Sequence, residues 1–91
     1  MRVALLGAGH IGQTIASLLS GTGDYQLTVL DRSAPALQAL HKLPLQTACI
    51  DTADAQALLT ALRGCDVVVN ALPSHLATLV ATQALDAGCH Y

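Results

Sequence analysis

The sequence predicts a doubly wound α/β fold, with a parallel sheet between two layers of helices, and three observations carry that prediction. Short aliphatic and β-branched runs alternate with segments of helical period along the whole chain. A glycine-rich turn, Gly7-Ala8-Gly9-His10-Ile11-Gly12, directly follows the first apolar run, Val3-Ala4-Leu5-Leu6. An acidic residue, Asp31, stands 19 residues after Gly12, at the end of the second run, Leu27-Thr28-Val29-Leu30. Strand, glycine turn, helix, strand and acid in that order are how a Rossmann-type sheet holds a dinucleotide.

Taken in order, the first strand is expected over Arg2 to Leu6 and the first helix over His10 to Leu19. Ile11, Ile15, Leu18 and Leu19 recur at helical spacing, and Ser20-Gly21-Thr22-Gly23-Asp24 carries two glycines suited to a helix stop. The second strand runs over Gln26 to Leu30. Ser33 reads as the cap of a short second helix, with Pro35 in its first turn, where a missing N–H does no harm. The third strand is expected over Leu45 to Ile50. Asp51-Thr52-Ala53-Asp54 then turns into a third helix capped by Thr52, with Ala55, Leu58, Leu59 and Leu62 as its apolar stripe and Gly64 at its end. The fourth strand, Asp66 to Asn70, is continuously β-branched, as expected of a parallel strand buried on both faces. After the turn Leu72-Pro73-Ser74, a fourth helix is expected over Ser74 to Ala87, with Leu76, Leu79, Val80 and Ala84 on one side and Gly88 closing it. Cys89-His90-Tyr91 reads as the start of a fifth strand. The alternation predicts a three-layer αβα sandwich with strand order 3-2-1-4 and the fifth strand beside the fourth, truncated as that strand begins.

Composition narrows the function. Ninety-one residues make one domain, and 53% hydrophobic content with 11% charged residues supplies a dense core. A net charge of −2 leaves no basic footprint for nucleic acid or an anionic membrane. No apolar run approaches the roughly 20 residues of a membrane span, and the N-terminus reads as a strand without a signal peptide. Three cysteines, Cys49, Cys65 and Cys89, lack the paired spacing of metal ligands and fit a reducing, cytoplasmic setting.

Each residue of the glycine turn has its own work. Gly7 takes the backbone angles of the turn, Gly9 lets a pyrophosphate approach the main chain, and Gly12 lets the helix pack against the strand. His10 and Ile11 contribute backbone N–H groups at the helix N-terminus, where the dipole favours negative charge. Asp31 is expected to accept the adenosine ribose hydroxyls, with capping of the next helix as its structural alternative. It favours NAD by repelling a 2′-phosphate, whereas Arg32 keeps NADP open by offering that phosphate a partner. Arg32 could equally stack on the adenine or stand in solvent. Asp51 borders the adenine or caps a helix. Asn70, Ala71, Leu72 and Pro73 follow the fourth strand at its carboxyl edge, running toward the nicotinamide, with Asn70 tying down the turn as the alternative. Of the histidines, His75 is the candidate near substrate, while His41 and His90 read as surface or sheet-end residues. No nucleophilic triad or metal set is present in the pattern.

Three stretches together resemble the N-terminal nucleotide-binding domain of the saccharopine dehydrogenase family. They are Val3 to Gly12, Val29-Leu30-Asp31-Arg32-Ser33, and Asp66-Val67-Val68-Val69-Asn70-Ala71-Leu72-Pro73 with the closing Ala87-Gly88-Cys89-His90-Tyr91. The resemblance spans nearly the whole chain, and the Asn-Ala-Leu-Pro loop with the His-Tyr closure is its most specific part. It implies an NAD(P)-dependent oxidoreductase of amino-acid metabolism that makes or breaks a secondary amine. It implies also that catalytic residues and a substrate domain lie beyond this segment, so the chain alone should bind nucleotide without turnover. A regulatory NAD(H)-binding domain like those of potassium-uptake systems shares the glycine turn and the acid, but not the Asn-Ala-Leu-Pro loop. With its fifth strand barely begun, the fourth strand is an edge, and self-association into a homo-oligomer is expected.

Overall fold

Val3, Ala4, Leu5 and Leu6 are all buried, and a run apolar on both faces belongs in the middle of a sheet covered on both sides. The structure, a computed structural model, describes residues 1–72 and 77–91. Its strands are β1 (Arg2–Leu6), β2 (Gln26–Asp31), β3 (Gln46–Cys49) and β4 (Val67–Asn70), all parallel, in the order β3-β2-β1-β4. Its helices are α1 (His10–Thr22), α2 (Ala34–Gln38), α3 (Ala55–Leu62) and α4 (Ala77–Asp86). The fold is the Rossmann-type sandwich that the alternation predicts. The fifth strand amounts to one parallel bridge, His90 against Val67, in which Val68 N–H donates to His90 O at 2.7 Å and His90 N–H to Asp66 O at 2.9 Å.

Strand alternation divides the core in two. Ala4, Leu6, Leu30 and Val68 point to one face and meet Leu58 and Leu62 of α3 with Val80 and Ala84 of α4. Val3, Leu5, Leu27 and Val29 point to the other and meet Ala16 of α1 with Leu37 and Leu40 at α2. Full burial of a leucine such as Leu5, Leu58 or Leu62 is worth about 2 kcal/mol, so both layers are held mainly by these contacts. The buried Cys89 thiol, just past α4, donates to Leu62 O and Cys65 O at 3.1 Å each, tying the end of α4 to the end of α3.

Several boundaries differ from the expectation. Helix α1 continues through Ser20 and Gly21 to Thr22, and Gly23, left-handed at φ +73°, stops it. Its buried face is Gly12, Ala16 and Ser20, while Ile11 and Leu18 are 71% and 68% exposed. Small residues let the helix lie close to the sheet, and Ile15 and Leu19 flank that seam instead of forming it. The cap of α3 is Asp54, whose carboxylate accepts from Gln56 N at 3.0 Å and Ala57 N at 3.2 Å; Thr52, two residues earlier, is buried instead. Ala55 is exposed, so the stripe of α3 is carried by Leu58 and Leu62. In β4 only Val68 is buried, because among the described residues the sheet continues beyond that strand only as the His90 bridge. The expected start of the fourth helix, with Pro73, Ser74, His75 and Leu76, lies outside the described residues. Ser33 caps α2 as expected, accepting from Ala36 N, and Pro35 sits in its first turn.

Candidate functional site

Two loops meet at the carboxyl edge, where β1 feeds α1 on one side and β4 leaves the sheet on the other. Gly7 adopts φ +102°, a conformation that favours glycine, and its N–H donates to Leu30 O at 2.8 Å. A Cβ on Gly7 would stand 3.0 Å from Ala71 O, so the turn after β4 is packed directly against the glycine turn. Ala71 N–H in turn donates to Leu6 O at 2.8 Å. A Cβ on Gly12 would stand 2.0 Å from Gly7 O, which no adjustment of a side chain could relieve. The first turn of α1 therefore presses on the loop that precedes it. Gly9 differs, since a Cβ there would meet nothing within 4 Å among the described residues. Among the described residues nothing crowds the main chain at Gly9, the clearance a pyrophosphate needs.

The N-terminus of α1 is also left uncapped. Ser33 and Asp54 cap α2 and α3 through their side chains, whereas Gly9 offers α1 none. His10 and Ile11 are exposed at that open end. Uncapped N–H groups with the positive end of the dipole behind them suit an anion.

Asp31, partly buried at the end of β2, uses both carboxylate oxygens on backbone. Oδ2 accepts from Ala8 N–H at 2.7 Å and Oδ1 from Ser33 N–H at 2.8 Å. The same side chain thus braces the glycine turn and the lead into α2. Each oxygen keeps a second lone pair with which a ribose hydroxyl could bond. Arg32 is exposed beside it. Asp51 follows β3, next to Ile50, whose N–H donates to Asp31 O at 3.0 Å. Its Oδ1 accepts from Ala53 N at 3.0 Å, the capping-type alternative to contact with a base.

Asn70, at the end of β4, is likewise engaged at both ends: Oδ1 accepts from Leu72 N–H at 2.9 Å, and Nδ2 donates to Tyr91 Oη at 3.0 Å. It ties down its own turn, the structural alternative of the sequence reading. Tyr91 is the residue at this edge that the sequence reading missed. It belongs to the begun fifth strand, and only the parallel pairing of that strand with β4 reveals how far its ring reaches. Pro73 and His75 lie outside the described residues. Among the described residues no group of three His, Cys, Asp or Glu gathers as metal ligands. Burial pushes the Cys65 and Cys89 thiols up from their ordinary value, and both lie away from this edge, around the ends of α3 and α4.

The family model of the saccharopine dehydrogenase NADP binding domain matches residues 3–91. The chain belongs to that family. Saccharopine dehydrogenase (L-Glu forming) from Saccharomyces cerevisiae superposes with a TM-score of 0.86 at 28% identity, over 97% of this chain and 20% of the yeast enzyme. A Rossmann-fold NAD(P)-binding family protein from Shigella flexneri, 22% identical, shares the fold at a TM-score of 0.82, over 97% of this chain and 47% of its own. A glycerol-3-phosphate dehydrogenase [NAD(P)+] from Anaeromyxobacter dehalogenans (strain 2CP-C) is 35% identical over 97 residues, 92% of this chain and 27% of that enzyme. The chain thus spans about a quarter of the curated relative and a fifth of the yeast saccharopine dehydrogenase. It is an NAD(P)-binding domain of the saccharopine dehydrogenase-like oxidoreductase family.

Proposed function

We propose that residues 1–91 form the cofactor domain of a longer oxidoreductase that acts on an amino-acid-derived secondary amine, by C–N oxidation or reductive condensation. The observation that carries the reading is the glycine turn: locked by Gly12 against Gly7, clear of the other described residues at Gly9, and without a side-chain cap on α1. In this reading the turn and the N–H groups of His10 and Ile11 hold the pyrophosphate, Asp31 receives the adenosine ribose, and Asp51 borders the base. Asn70, Ala71, Leu72 and Pro73 run along the nicotinamide half. The bound dinucleotide supplies the hydride, while this chain binds and orients it. The secondary-amine substrate is inferred from the family and from the likeness to the yeast enzyme.

NAD is the preferred cofactor in this reading, because a carboxylate braced at Asp31 repels a 2′-phosphate. The opposing pull is the exposed guanidinium of Arg32. Calorimetric titration with NADH and NADPH tests both, using Asp31→Ala and Arg32→Ala. Preference for NADH that disappears in Asp31→Ala supports the reading. Preference for NADPH that disappears in Arg32→Ala reverses the choice of cofactor, and binding of neither by the full-length protein sinks the dinucleotide site. Homo-oligomerisation through the edge beyond β4 belongs to the same reading, and a purely monomeric profile in sedimentation velocity would count against it.

A further inference from the structure

The geometry points to Tyr91 as the residue that binds the nicotinamide half of the dinucleotide, with Asn70 as its positioning residue. The inference rests on the dinucleotide reading above. Asn70 Oδ1 accepts from Leu72 N–H, and a backbone N–H can only donate. That fixes which end of the amide is the NH₂ group, so Nδ2 must donate to the phenol oxygen. The phenol oxygen is therefore an acceptor toward Asn70, and its own proton is left to donate elsewhere. The main chain beside it is fixed as well, since His90 O accepts from Val68 N–H at 2.7 Å and His90 N–H donates to Asp66 O, just before β4, at 2.9 Å. A half-exposed ring, its main chain following the bridge at Val67, thus reaches with its hydroxyl to Asn70 at the carboxyl end of β4, on the side away from β1. Asp31 marks the adenosine side at β2, and β1 carries the glycine turn. A dinucleotide laid across this edge must place its second half over β4, where the phenol proton, donated to no described residue, meets the carboxamide or ribose oxygens of the nicotinamide nucleoside.

The test is calorimetric titration of the full-length protein with NADH and with ADP-ribose, which lacks the nicotinamide. Tyr91→Phe should weaken NADH binding roughly fivefold, the worth of one hydrogen bond, and leave ADP-ribose unchanged. Asn70→Asp keeps an acceptor for Leu72 N–H but draws the phenol proton to itself, and should reproduce the Tyr91→Phe result. Equal losses for both ligands would mean that Tyr91 only supports the fold, and unchanged NADH binding in Tyr91→Phe would place the nicotinamide elsewhere; either outcome overturns the assignment. Failure of the unmodified protein to bind ADP-ribose would instead remove the dinucleotide site itself, and the assignment with it.

Discussion

Gly12 and Gly9 are three residues apart and are glycine for opposite reasons. An alanine at Gly12 drives its methyl into Gly7 O, a backbone atom, so Gly12→Ala should lose about 3 kcal/mol or more of stability in urea unfolding. An alanine at Gly9 meets none of the described residues and sits at φ −73°, so its melting should stay within about 0.5 kcal/mol of wild type while nucleotide affinity falls. Loss of stability without loss of affinity in Gly9→Ala would contradict the role given to the clearance. Asp31 carries a double duty of the same kind. Asp31→Ala leaves Ala8 N–H and Ser33 N–H without their acceptor, so about 2 kcal/mol should be lost and amide exchange at Ala8 should accelerate even without nucleotide.

The helices show what a sequence discloses at the level of elements. Asp54→Ala should cost about 1 kcal/mol through the lost cap of α3, measured by chemical unfolding, and Thr52→Ala should not act through the cap at all. The alternation of elements, the strand order and the cap of α2 were legible because turn residues and strand period are local signals. The orientation of α1 was not. Its large apolar residues repeat at helical spacing, yet the sheet selects the Gly12, Ala16 and Ser20 face because only small residues allow close approach. Asp31 was legible by position, but its two backbone partners are remote in sequence or set by the turn that follows, and pattern alone could not supply them. Tyr91 was hidden for a related reason: its relation to Asn70 exists only once the bridge between His90 and Val67 sets the register. The thiols at the ends of α3 and α4 make a pH-dependent contribution at this scale. Burial raises Cys65 and Cys89, so their full contribution is present below the ordinary thiol value of 9.0. Above it the unfolded chain releases protons that the folded chain retains, and stability falls. Urea midpoints compared on either side of that value should drop less in Cys65→Ala than in wild type. Exposed Cys49 should be the first thiol alkylated at neutral pH.

For the whole molecule, the two ends of the sheet have different characters. A concavity lies at the amino edge, bordered by Arg2, Gln26, Gln46 and Arg63. The carboxyl edge carries the glycine turn, the braced carboxylate and the uncapped helix. A hollow alone would point to the first, whereas the chemistry of a pyrophosphate chooses the second, because the main-chain donors of the glycine turn converge there. Hydrogen exchange with and without NADH should therefore slow at Gly9, Ile11, Gly12 and Ser33 and leave Gly64 and Cys65 unchanged. Protection at the amino edge would move the site to the opposite end of the sheet. No helix among the described residues is long and apolar enough to cross a membrane.

The contact between Gly12 and Gly7 O has a consequence for kinetics. A loop wedged by its own helix and braced by Asp31 does not have to be ordered when a ligand arrives, so the entropy of shaping it is already spent during folding. Capture of nucleotide should then be a single bimolecular step whose observed rate rises in proportion to ligand concentration without levelling off. Differences in affinity among dinucleotides would appear almost wholly in how long each one stays.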